Sequence, residues 1–78
     1  MKIPRDIDGA ELAKKLTRFG YVITRQTGSH IRLTTCQNGE HHITIPAHRP
    51  LKIGTLNAIL SEVAAHFKTT KRDILEQL

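Results

Sequence analysis

Two short runs of alternating residues flank the pentapeptide CQNGE at 36 to 40, and their parity constrains this chain more than any other feature. Residues 30 to 35, HIRLTT, place Ile31, Leu33 and Thr35 on one side of an extended strand and His30, Arg32 and Thr34 on the other. Residues 41 to 45, HHITI, do the same with Ile43 and Ile45 against His42 and Thr44. Asn38-Gly39 suggests a two-residue hairpin, but that loop would set Leu33 opposite Thr44 and mix the two faces. A three-residue loop, Gln37-Asn38-Gly39 with Gly39 left-handed, instead pairs Leu33 with Ile43 and Ile31 with Ile45. That register, or one shifted by two residues, gives a sheet with one apolar face and one face bearing His30, Arg32, Thr34, His42 and Thr44.

The rest of the chain supplies a third strand and the helices that cover the apolar face. YVITRQ at 21 to 26 is rich in aromatic and β-branched residues and precedes a glycine-containing break, so it reads as a strand entering a tight turn at Thr27, Gly28 and Ser29. Tyr21 is expected to pack in the sheet. Asp8 and Glu11 have capping-box spacing, Leu12, Ala13, Leu16 and Phe19 follow at helical intervals, and Gly20 stands where a left-handed C-cap belongs, giving a helix over 8 to 19. Lys14, Lys15 and Arg18 fall on its solvated side. Pro46 and Pro50 bracket a loop and end the third strand. From Gly54-Thr55, the spacing of Leu56, Ile59, Leu60, Val63, Ala64 and Phe67 predicts an amphipathic helix. Thr70 with Asp73 caps a short terminal helix carrying Ile74, Leu75 and Leu78. The expected class is α+β: one three-stranded antiparallel sheet, helices on one face, and a C-terminal helix.

With 78 residues, folding buries only about 60% of the surface exposed by the unfolded chain, so one small domain over 1 to 78 is expected and its site must be shallow. Twelve Lys and Arg against seven Asp and Glu leave a formal charge of +5, which suits a polyanion such as nucleic acid or an acidic protein. The lone cysteine, Cys36, excludes an internal disulfide and reads as a small residue near a turn, so the reducing cytoplasm is the expected compartment. No apolar run approaches the length of a membrane span.

Several chemistries lack their residues. Glu40 has no acidic partner for paired-carboxylate catalysis, and Ser29 beside His30 does not make a triad. Cys36, His41, His42 and His48 are close in sequence, but His41 and His42 point to opposite faces of a regular strand, which argues against a shared metal; no metal and no cofactor are expected. Imidazoles and cations without carboxylates suit RNA cleavage, because RNA carries its own nucleophile, the 2′-hydroxyl. Arg25, Arg32 and Lys52 are cations suited to phosphate, and for the two arginines solubility is the competing reading. Gly28, lacking Cβ, lets a phosphate approach the turn, where N–H groups around Ser29 face the anion. For His30 taken alone, a surface histidine without a task stands as the alternative.

RFGYVITRQ (18 to 26), TGSH (27 to 30), ITIPAH (43 to 48) and IGTLNAIL (53 to 60) together resemble the HicA family, the toxin half of HicBA toxin–antitoxin pairs. The resemblance spans about 6 to 63 and leaves 64 to 78 as a helical extension that either completes the core or forms a partner surface. It implies an α-β-β-β-α fold like a double-stranded RNA-binding domain. It also implies a metal-independent mRNA endoribonuclease that stops translation and is held inactive, as a hetero-oligomer, by a HicB-type antitoxin. The family's catalytic histidine falls on His30. His48, in IPAH, also matches, as an acid, a phosphate anchor or a residue that fixes the proline loop. A non-catalytic RNA-binding module or inactive homologue is the alternative, and an interaction protein whose basic surface docks an acidic chain is a third.

Overall fold

A computed structural model describes residues 6 to 78. Helix α1 (Gly9–Lys15) opens with the Asp8 N–H donating to Glu11 Oε1 at 3.4 Å, the glutamate half of the anticipated capping box. Its last turn tightens into a 3₁₀ segment, Leu16–Phe19, which stops at left-handed Gly20 (φ 80°). Strands β1 (Val22–Gln26), β2 (His30–Thr35) and β3 (His41–Pro46) form an antiparallel sheet in that order. Helices α2 (Ile53–His66) and α3 (Lys71–Gln77) complete the expected α-β-β-β-α order and the short terminal helix.

Parity decided the hairpin correctly: Leu33 pairs with Ile43 and Ile31 with Ile45. Both loop residues Asn38 (φ 56°) and Gly39 (φ 95°) are left-handed, and the Asn38 side-chain amide donates to the His66 carbonyl at 2.8 Å, tying the hairpin tip to the end of α2. Ile31, Leu33, Ile43 and Ile45 are buried with Leu12 and Leu16 of the first helix and Leu56, Leu60 and Val63 of α2. The Cα extents of 30 × 28 × 16 Å are those of two layers, one sheet and one set of helices. The other sheet face is open.

The extension after Val63 contributes to the core. Thr70 Oγ1 accepts from the Asp73 N–H at 3.2 Å to start α3, and Ile74 is fully buried while Leu75 and Leu78 pack beside it. Tyr21 stands one residue before β1 and is fully buried, its hydroxyl 2.7 Å from His41 Nδ1. The helices do not reach over β1. All five of its residues are exposed, including Val22 and Ile23 at 58% and 50%, and a bulge between Ile23 and Arg25 interrupts its pairing with β2.

Candidate functional site

His30 opens the central strand on the side away from the helices, so its imidazole is exposed. Its backbone is fixed by the turn before it: the Thr27 N–H donates to the His30 carbonyl at 2.9 Å, and the His30 N–H donates to Thr27 Oγ1 at 3.2 Å. Ser29 Oγ lies 3.0 Å from His30 Nδ1. The serine therefore orients the ring, a role left unassigned by its dismissal as a triad member. In the tautomer with Nδ1–H donating to Ser29 Oγ, Nε2 keeps its lone pair, and it has no hydrogen-bond partner among the described residues.

Arg25 of β1 is directly opposite Arg32 of β2, both are exposed, and neither is ion-paired with a described residue. Like charges facing each other across strands repel, so the pair is destabilising until an anion comes between or beside them. Gly28 has an ordinary, non-left-handed backbone, and a Cβ built on it would meet nothing within 4 Å. The turn conformation does not demand glycine; the open space beside it is what a methyl group would occupy.

The proline loop is brought to this turn by its main chain. The Ala47 N–H donates to the Ser29 carbonyl at 2.9 Å, the Gly9 N–H donates to the His48 carbonyl at 3.0 Å, and the Leu51 N–H donates to the Ile7 carbonyl at 2.8 Å. His48 thus follows directly on a residue bonded to Ser29. Its carbonyl fixes the loop, while its exposed imidazole makes no hydrogen bond to a described residue. Lys52 is exposed as the N-cap of α2, and no hydrogen bond or ion pair connects it to the turn. Cys36 is free and exposed at the hairpin.

His41 and His42 do point to opposite sides. His41 bonds Tyr21 and stacks on His66 at 4.4 Å on the helix side, whereas His42 lies on the open face between Thr34 and Glu40. Among the described residues, no group of three His, Cys, Asp or Glu side chains is placed to hold a metal ion. Two features escaped the sequence reading. Gly9 is a packing position, because a Cβ there would collide with the Pro46 carbonyl oxygen, and only the folded chain brings these residues together. Glu40 has a partner in His42, with Oε2 3.2 Å from Nε2, and the i, i+2 spacing on one strand was a usable signal.

These features define a small basic α+β domain with a solvent-facing histidine at a Gly–Ser turn, beside an uncompensated arginine pair. A family model described as the HicA toxin of bacterial toxin–antitoxin systems matches residues 9 to 64, and the chain belongs to that family. No curated protein and no solved structure matches it.

Proposed function

We propose that this HicA-family chain is a metal-independent endoribonuclease that cleaves mRNA in the cytoplasm, halts translation, and is neutralised in a hetero-oligomer with a HicB-type antitoxin. The observation that carries this reading is the exposed His30 ring, anchored through Nδ1 to Ser29, on the same strand face as Arg32, which pairs with Arg25.

Neutral His30 takes the 2′-hydroxyl proton at Nε2 as the 2′-oxygen attacks the adjacent phosphorus. The P–O5′ bond breaks, and the products are a 2′,3′-cyclic phosphate and a 5′-hydroxyl once the leaving oxygen gains a proton. The imidazolium keeps its Nδ1–H bond to Ser29 throughout. Arg25 and Arg32 offset the charge on the pentavalent phosphorus and resolve their own repulsion in doing so. Open space at Gly28 admits the phosphate to the turn. His48, delivered beside Ser29 by its loop, is the group assigned to protonate the leaving oxygen, and Lys52 is assigned an outlying phosphate. The antitoxin acts by covering the open face around His30.

The test is His30→Ala assayed on end-labelled RNA in EDTA. Loss of general-base catalysis costs about 10²- to 10⁴-fold in cleavage, with the melting temperature and most RNA affinity retained. A folded variant with full activity rejects the role of His30. RNA binding by the native chain with no products on prolonged incubation identifies a binding module instead.

A further inference from the structure

Between Gly20 and Pro50 the chain carries one carboxylate, Glu40. It stands at the end of the open face opposite to His30, about 13 Å away along β2, since Thr34, the cross-strand partner of His42, is four residues from His30. A hydrogen-bonded chain crosses all three strands there: Thr24 Oγ1 is 3.4 Å from Thr34 Oγ1, Thr34 Oγ1 is 2.7 Å from His42 Nδ1, and His42 Nε2 is 3.2 Å from Glu40 Oε2. Val22 pairs with Thr34 on this face and is 58% exposed.

A negative charge on a surface that binds phosphates weakens every phosphate contact near it, so its presence calls for a compensating role. Stability is not that role, because ion pairs as exposed as this one, 43% at His42 and 67% at Glu40, contribute little. The chain does engage one oxygen of the carboxylate and so biases its orientation. With Oε2 engaged by His42, Oε1 remains available to a donor arriving from solvent. RNA bases present such donors when unstacked, and a carboxylate distinguishes an exocyclic amine, as at N4 of cytosine, from a carbonyl at the same place. Val22 and His42 are the two cross-strand partners of Thr34, so an exposed aliphatic side chain and an imidazole flank it on this face.

We propose that Glu40, positioned by His42 and Thr34, is a base-recognition site that accepts a hydrogen bond from the exocyclic amine of an unstacked RNA base, a few nucleotides from the bond that is cut. This rests on the open face being the RNA surface, as in the function proposed above. Arg25 and Arg32, between the two ends of the face, hold the intervening backbone. Cleavage at His30 is then selective for sequences whose amine-bearing base reaches Glu40.

The experiment is binding of the non-cleaving His30→Ala chain to single-stranded oligocytidine and oligouridine of equal length, read by fluorescence anisotropy. The two pyrimidines differ at the position the carboxylate reads. A charged hydrogen bond predicts a preference for oligocytidine of about tenfold to a hundredfold. Adding Glu40→Ala brings the ratio close to one, and Glu40→Lys, which replaces an acceptor with a donor, reverses it in favour of oligouridine. His42→Ala lowers the ratio by releasing the carboxylate. Equal binding of both oligonucleotides, or a ratio unchanged in folded Glu40→Ala, overturns the site. Because binding is read without turnover, failure of the native chain to cut RNA leaves this result intact and rejects only the ribonuclease reading.

Discussion

Gly9→Ala is expected to unfold this domain at a much lower temperature, although Ala is the better helix former. Gly9 is the first residue of α1, and a Cβ on it would overlap the Pro46 carbonyl oxygen while lying 3.0 Å from Pro46 C and 3.3 Å from Ala47 Cα. The obstacles are backbone atoms of a strand end, so no rotamer change relieves them. Overpacking of this kind costs about 1 to 3 kcal/mol. Moving the loop away also weakens the Gly9 N–H bond to the His48 carbonyl, for about another 1 kcal/mol. The reduced entropy of the unfolded chain returns about 0.4 to 1 kcal/mol. The net loss of about 1 to 3.6 kcal/mol corresponds to a drop of roughly 4 to 29 °C in a domain of this size. Thermal unfolding followed by circular dichroism at 222 nm measures it, with amide spectra of the folded fraction reporting the displacement of residues 46 to 48. A melting temperature within about 2 °C of the native chain refutes the close approach, and with it the placing of His48 by this contact.

Gly28→Ala is the counterpart: with nothing within 4 Å and no left-handed φ, it leaves stability unchanged or raises it by up to about 1 kcal/mol, yet it places a methyl group where phosphate is proposed to enter. Cleavage lowered at least tenfold at an undiminished melting temperature supports that entry route, and native rates discard it. A pH effect is expected at the other end of the sheet, where burial, followed by the charge of stacked His66, lowers the His41 imidazole below its ordinary range. Glu62 opposes this shift and His42 adds to it. The folded chain therefore binds fewer protons than the unfolded one, and the stability held at neutral pH declines as the pH falls below about 6.5. Protonation at Nδ1 also removes the acceptor for the Tyr21 hydroxyl, itself pushed up to about 12 by burial and then Glu62. Melting temperatures between pH 7.5 and 5 should fall in the native chain and flatten in His41→Gln; equal slopes in the two would remove His41 as the cause.

Features set by local rules were legible in the sequence. Apolar parity fixed the β2–β3 register, and the cap residues at Asp8, Gly20 and Thr70 lie where the helices begin or end. The same parity put His30 and Arg32 on the open face before any fold was known. Parity could not say which strands the helices cover. That depends on helix length and direction in three dimensions, and it left β1 bare with Val22 and Ile23 exposed. Nor does a linear reading reveal that Gly9 meets Pro46, because the contact arises only when the first helix crosses the end of β3. Ser29 gained a task that no sequence pattern displays. Its hydroxyl holds the neighbouring ring through Nδ1, a contact set by side-chain geometry at the turn. For His48, the carbonyl takes part in fixing the loop, and the imidazole has no hydrogen-bond partner among the described residues.

The two-layer build also constrains how such a protein can be switched off. All the helices lie on one side, so the open face carries both the exposed imidazole and the opposed pair Arg25 and Arg32. A partner that buried this face with apolar groups would take two like charges out of water without compensation, a desolvation cost that exceeds what the contact returns. An inhibitor that covers His30 must therefore bring carboxylates to the arginines, and in doing so it solves the same electrostatic problem that an RNA phosphate solves. Under the function proposed above, RNA and an acidic antitoxin segment would exclude each other by competing for one pair of guanidinium groups, even where their other contacts do not overlap. Replacing both arginines with glutamine should weaken the two ligands together in binding assays at fixed ionic strength. If antitoxin affinity survives while RNA affinity falls, inhibition is exerted from elsewhere on the surface, and the exposed edge of β1 is the next surface to examine.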